Sequence, residues 1–600
     1  MKQRKLKQGI MGITMLAVMG ITLFIPGTGM NEVEAATAPV TIDETNFPDS
    51  IFREYVKQFD LDTDGSLSVA ELEAVQNIDV DKRGISDLKG IEYFDRLRSL
   101  ECRNNNLSTL DISQNTVLAY VFCGNNNLSS LDISKNMALI EFNCEYNNLS
   151  SLDVSQNTAL TSLHCNRNAL SSLDVSQNTA LAYLWCGNDN LSSLDVSQNT
   201  ALIRLDCSFS NLSSLDVSQN TALTELWCRG NNLSSLDVSQ NTALTSLECS
   251  DDNLSSLDVS QNTALTQLWC GENNLSSLDV SQNTALTLLD CSDNNLSDLD
   301  VSQNTALTEL DCQKNNLSSL DVAKNTALTV LRCNFNNLGS LDVSQNTSLT
   351  LLWCYTNNLS SLNVSQNTAL TELDCSNNNL SSLDLSKNTA LTRLFCTDNN
   401  LSNLDVSQNT ALTELVCTDN NLSSLDLSQN TALSVFYCSP NYINAPLYKN
   451  GNSYYIDLSE FSLDVGRISN PSAGTYDSAT GQLVLPGAPE VGDTVEYDYA
   501  TGYGQRQMNV VVTISEIKEI IVPTTEEPTT EAPTTEEPTT VAPTTETPTT
   551  TAPATTQNTP GSNVPSPKTG DTAPLILVVS LLLVSLAGGV TLYIRRKRKQ

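Results

Sequence analysis

The chain has 600 residues, with 68 Asp and Glu against 31 Lys and Arg and a formal net charge of −37. A surface this acidic repels nucleic acid, whose binding depends on Lys and Arg displacing counterions, and it is a poor match for anionic membrane surfaces. The lone His164 excludes His-rich metal sites, and the odd count of 17 Cys leaves at least one thiol unpaired within the chain.

At the N-terminus, Lys2, Arg4, Lys5 and Lys7 precede an apolar run over 10–25, and Val33-Glu34-Ala35-Ala36 comes next with small residues suited to cleavage. This predicts a secretory signal over 1–36. Residues 60–71 then match the calcium-binding EF-hand loop at every ligand position. Asp60, Asp62 and Asp64 supply oxygens at positions 1, 3 and 5, and Gly65 permits the sharp turn. Ser66 offers its carbonyl, Ser68 holds a water, and Glu71 is the bidentate ligand. The predicted cofactor is Ca2+. Helices are expected over 48–59 and 68–76, in a cap spanning 41–96 that covers the apolar end of a downstream repeat array.

From Cys102 to Cys438 a Cys recurs every 21 residues. Each unit reads like Leu223-Thr-Glu-Leu226-Trp-Cys228-Arg-Gly-Asn231-Asn-Leu233-Ser-Ser-Leu236-Asp-Val238-Ser-Gln-Asn241-Thr-Ala, a leucine-rich repeat occupying 97–440. One coil cannot bury its six apolar positions alone, so stacked coils must form a continuous core. The Leu-x-x-Leu-x-Cys segment alternates in and out as a strand, and successive strands are expected to pair in parallel at ~4.8 Å. The fold class is an α/β-type solenoid, a leucine-rich-repeat horseshoe. Asn231, Asn241 and their equivalents sit at bends, where their amides can satisfy buried backbone groups. The second column, Asn115 to Asn430, is filled in every repeat; the first is broken by Asp189, Ser210 and Asp252. The Cys column reads as free buried thiols, because in-register neighbours hold Cβ atoms farther apart than the ~3.8 Å a disulfide needs.

Variation concentrates at the residue before each Cys, which points outward from the expected concave sheet. All four Trp fall there, as Trp185, Trp227, Trp269 and Trp353, together with Phe122, Asp206, Glu248, Phe395 and Tyr437. Trp185, Trp227 and Trp269 alternate with Asp206 and Glu248, so like residues recur every ~9.6 Å. Exposed aromatics mark contact surfaces, and this column is the candidate ligand-binding face. Mixed charges and aromatics suit an extracellular protein as partner; the Trp spacing alternatively suits a glycan stacking its rings. The lone His164 reads as another residue of this face. A retaining glycosidase would need two carboxylates ~5–5.5 Å apart with one pKa raised. Asp290 and Asp311 are neighbours in the column, but an open face is expected to leave both solvated, so the chain is read as no enzyme.

Residues 441–521 leave the period and alternate in β-rich runs broken by Gly, Pro and Asn, predicting a small all-β domain that closes the solenoid. Residues 522–565 are Thr/Pro/Glu-rich, unable to bury a core and suited to a disordered, wall-spanning stalk. Ser566-Pro567-Lys568-Thr569-Gly570 comes next, then an apolar stretch of membrane-spanning length over 575–594, then Arg595-Arg596-Lys597-Arg598-Lys599. Motif, span and basic tail in that order resemble the LPXTG-type sorting signal of Gram-positive surface proteins, with Ser566 where that family usually has Leu. The resemblance implies sortase cleavage between Thr569 and Gly570 and covalent attachment of Thr569 to peptidoglycan, after passage through a membrane-inserted state. An EF-hand-like helical cap before leucine-rich repeats further resembles the internalin-like surface proteins, over roughly 41–440. That resemblance implies a secreted, wall-anchored, adhesin-like protein, though the 21-residue Cys-bearing unit differs from the usual internalin repeat.

Overall fold

The computed structural model describes residues 38–461 and 463–520. The signal at 1–36, the stalk at 522–565 and the sorting signal at 566–600, with Thr569, lie outside the described residues. Among the described residues no helix is long and apolar enough to cross a membrane.

In the cap, α1 (Ser50–Val56) starts where the Asp49 side chain accepts hydrogen bonds from the amides of Ile51 and Phe52, and it tightens into a 3-10 turn at Lys57–Phe59. A second helix, α2 (Val69–Ala74), opens on a reciprocal capping box between Ser68 and Glu71. Both are shorter than expected, since Asp49 fixes the first start and the chain after Ala74 is drawn into the first strand of the solenoid, Asn77–Asp79. Phe47, Phe52, Val56, Leu67 and Leu72 are buried in one apolar core continuous with the coils. Asp49 also accepts from the Ser86 amide and hydroxyl, tying the cap to the first irregular coil.

Eighteen three-residue strands, from Asn77–Asp79 to Val435–Tyr437, form a parallel ladder in chain order. The register is strict: Leu226 pairs with Leu247 and Trp227 with Glu248, one coil later. Each strand's central residue and the residue after the strand, a Cys in every coil but the first, face inward, and nearly all of them are fully buried. The α/β expectation fails in one respect. From residue 97 to the last strand the coils contain no helix and return through turns. The physical reason lies in the return segment: Asp237 accepts from the Ser239 amide and the Asn241 amide donates to the Val238 carbonyl. Such local Asp, Ser and Asn bonds compete with helical ones.

Both Asn columns form ladders. The Asn231 side-chain amide donates to the carbonyls of Cys207 and Cys228 and accepts from the Leu212 amide, and Asn241 donates to the carbonyls of Val217 and Asn220. Asn441, already outside the repeat, completes the first ladder by donating to Cys417 and Cys438. Fifteen Cys, from Cys102 to Cys396, are free and buried, and burial pushes thiols such as Cys123 up to about 12. The expectation of free thiols throughout is corrected at the last rung, where Cys417 and Cys438 form a disulfide. Their Cα atoms are 4.5 Å apart, inside the range a bridge accepts. In-register spacing therefore does not forbid a bridge where the period ends.

Beyond that rung, seven strands make a single mixed sheet. Its two long strands, Asn441–Asn450 and Gln507–Glu519, run parallel; the other pairings are antiparallel. The sheet covers the last coil, with the Tyr497 hydroxyl donating to the Ser423 carbonyl, the Leu427 amide donating to Thr501, and Arg467 paired with Asp426.

Candidate functional site

Because strand side chains alternate, the residues on either side of each inward Leu share the outer face with the residue after the Cys. The face is therefore at least three columns wide. The single column singled out from sequence omits the flanking ones, which hold Arg204, Glu225, Arg229, Glu309, Glu372 and Arg393. The period-two alternation itself is the signal that could have found them.

Those flanking residues change the character of the aromatic column. Phe122, Trp185, Trp227, Trp269, Trp353 and Phe395 are half-buried rather than freely exposed, as are Asp206 and Glu248; only Tyr437, at 62%, is open. His164 stacks on Trp185 with ring centres 4.0 Å apart, and burial pushes its imidazole down to about 4. The Arg204 guanidinium lies 5.8 Å from the Trp185 ring and 5.2 Å from the Trp227 ring while pairing with Glu225. Arg332 lies over Trp353 at 5.2 Å, and the Trp353 indole donates to Glu372 at 2.9 Å. Arg103 covers Phe122 and Arg393 covers Phe395. Glu248 is paired with Arg229, and Asp206 accepts from the Ser208 amide. Trp269, by contrast, makes no ring contact, cation contact or side-chain hydrogen bond among the described residues.

The carboxylates are not all solvated either. Asp290 and Asp311 are in register on adjacent strands, but Asp311 is only 8% exposed. Burial first, and then the neighbouring Asp290 charge, push its carboxyl up to about 7. The expectation that both stay solvated is thus corrected, because the neighbouring coils wall in the inner carboxylate. Asp374 is likewise pushed up to about 6 by burial.

At the N-terminal loop the structure brings carboxylate oxygens of Asp60, Asp62 and Glu71 within 4.8 Å of one another. Asp64 instead accepts from the Ser66 amide and hydroxyl at 2.8 and 2.6 Å, and Asp60 accepts from the Asp64 and Gly65 amides. Glu71 accepts from the amides of Ser68 and Leu61, which hold its carboxyl below the usual range. Asp62 is held above that range despite a hydrogen bond from the Asp64 amide, by desolvation and the charges of Asp64 and Glu71.

No protein-family profile matches the chain. In structure it is similar to a functional domain of internalin J from Listeria monocytogenes that includes a cysteine ladder. The TM-score is 0.62 and the identity 31%, covering 80% of this chain and 100% of that domain. In sequence, internalin J of Listeria monocytogenes serotype 4b is 38% identical over 71 residues, 12% of this chain and 8% of that protein's length. A leucine-rich-repeat protein of Leptospira interrogans shares the fold, with a TM-score of 0.51 at 23% identity over 61% of this chain and 96% of that one.

Proposed function

Since the chain belongs to the internalin-type leucine-rich-repeat proteins, we propose that it is a surface-displayed binding protein whose strand face engages an extracellular protein. The observation that carries this reading is the confinement of variation. Across the coils the turn segments repeat nearly unchanged, while the outer strand positions hold a mixture of Trp, Phe, Tyr, Arg, Asp and Glu. Aromatic and Arg-rich patches of this kind are what protein contacts use. A glycan is the second reading, supported by the two-coil spacing of Trp185, Trp227 and Trp269. Arg204 between the first two rings weighs against sugars stacking there.

The remaining roles are assigned from the sequence. The signal at 1–36 directs secretion, the stalk carries the folded region clear of the wall, and Thr569 is the point of attachment to peptidoglycan. The loop at 60–71 holds Ca2+ through Asp60, Asp62, Asp64, the Ser66 carbonyl and Glu71. The ion's charge there relieves the repulsion that raises the Asp62 carboxyl. The role is binding, not turnover, and hydrolysis of any glycan by the purified protein would overturn it.

The test is capture of surface proteins and glycans from target cells by wild type and two variant sets. Trp185→Ala, Trp227→Ala and Phe395→Ala alter the strand face; Gln198→Ala, Gln219→Ala and Gln240→Ala alter the constant turns. The reading expects one specific partner, lost with the first set and kept with the second. Equal capture by both sets would refute it.

A further inference from the structure

The aromatic rings of the strand face have a recurring partner. Four arginines of the coils lie over a ring of this face at 5.0 to 5.8 Å. Most of them also grip a carboxylate. Arg332, for example, covers Trp353, pairs with Glu309 at 2.6 Å and lies 3.8 Å from Asp311. The unit is thus a ring, a guanidinium and a carboxylate on adjacent coils, a combination in which each contact strengthens the other.

Around Trp269 that unit lacks its cation. From residue 230 to residue 313 the sequence contains no Lys, Arg or His and thirteen Asp and Glu. Trp269 is in register with Glu248 on one side and Asp290 on the other. Glu248 is taken by Arg229, but Asp290 uses only Oδ1, accepting from the Ser292 amide and hydroxyl; its Oδ2 has no partner among the described residues. Next to it, Asp311 is nine-tenths buried, accepts from the Gln313 amide and side chain and has Arg332 3.8 Å away, so the uncompensated carboxylate oxygen of this face is Asp290 Oδ2. Gly271 follows Cys270, so no side chain of that coil stands beside the ring on this side.

We propose that the face at Trp269 and Asp290 is a docking site for an arginine side chain of a basic segment of the partner protein. This deepens the binding-face reading and rests on it. The guanidinium lies on the indole and shares the Asp290 carboxylate, completing from outside the unit that Arg204 and Arg332 complete from within.

The probe is a capped tetra-arginine peptide titrated calorimetrically into the full chain at low ionic strength, with tetra-citrulline as the uncharged isostere. The proposal expects saturable binding of the first and none of the second. Trp269→Ala and Asp290→Asn should each weaken binding about tenfold, as for loss of an interface anchor, and Trp269→Phe should retain most of it because a ring face remains. Asp279→Asn, which removes a charge from the exposed turn row, should leave binding unchanged. Equal losses from Asp279→Asn and Asp290→Asn would assign the attraction to the net charge and overturn the proposal, as would unchanged binding in Trp269→Ala. An extracellular partner still captured through Trp185, Trp227 and Phe395 would then leave the binding-face reading standing alone.

Discussion

Replacing Asp252 by Asn should stabilise the solenoid, and only above mildly acidic pH. Asp252 occupies a rung of the first Asn ladder, is 7% exposed, and accepts from the Asn231 and Leu233 amides at 3.1 Å through Oδ1. In the neighbouring rungs Asn231 and Asn273 the second polar atom is an Nδ2 that donates to two Cys carbonyls. In Asp252 it is Oδ2, buried and without a partner among the described residues. Ionised, that atom puts charge where the ladder supplies a donor; protonated, it can donate as the amide does. Burial accordingly pushes the carboxyl from 3.8 up to about 7. The folded-state pKa lies above the unfolded one, so the favourable contribution is complete below about pH 4 and is lost as pH rises through about 7. A rise of about three units is worth at most about 4 kcal/mol, and a buried unpaired polar atom about 1–3 kcal/mol. At pH 8 Asp252→Asn should therefore gain about 2–4 kcal/mol, and at pH 4 close to nothing. Long repeat arrays need not unfold in one step, so the assay is native-state hydrogen exchange at the amides of Asn231 and Leu233, which reads local opening. The wild-type pH profile alone does not decide the matter, since relief of the −37 charge also favours the folded state in acid. The difference between variant and wild type does. Equal protection at pH 8, or a gain of the same size at both pH values, would refute this role for the Asp252 rung.

Three further outcomes are expected from other parts of the molecule. His164, stacked on Trp185 and pushed down to about 4, should titrate by NMR near that value; its folded-state pKa is depressed, so it contributes stability above about pH 6.5 that is lost as pH falls toward 4, and a midpoint at 6.5 would contradict the stacked, buried placement. Glu71→Gln, whose one amide oxygen can keep the capping box of α2 but not the Leu61 bond as well, should lower the melting temperature more in calcium than in EDTA, whereas a difference of the same size in both buffers would remove calcium from the cap. Thr569→Ala should move the protein from the covalently bound wall fraction to a detergent-extractable one; an unchanged wall fraction would place the attachment elsewhere.

The solenoid was legible in the sequence because a strict period leaves few alternatives. Leu226 and Cys228 recur in phase, and an Asn at each bend tells where buried carbonyls need donors. The return segments were harder to read, since Asp237 and Ser239 favour turns for local reasons that a fold-level analogy overrides. The binding face was only partly legible. Trp227 announces itself by type, but its half-burial depends on Arg204 and Glu225, which lie on a neighbouring coil or across the inward Leu. The raised Asp311 carboxyl was likewise invisible, because enclosure is a property of three stacked coils rather than of any one of them. Asn441 lies beyond the period that announces the ladder, and the spacing argument that disfavours bridges along the Cys column fails at Cys417–Cys438.

Binding through the strand face is tested most directly by site-specific photo-crosslinking on intact cells. A photoreactive residue is placed at Gln267 on the strand face, or at Gln261 on the exposed turn of the coil before it. Gln267 should crosslink to an extracellular protein and Gln261 should not. Crosslinks from Gln261 alone, or from both positions to the same extent, would contradict the assignment of binding to the strand face.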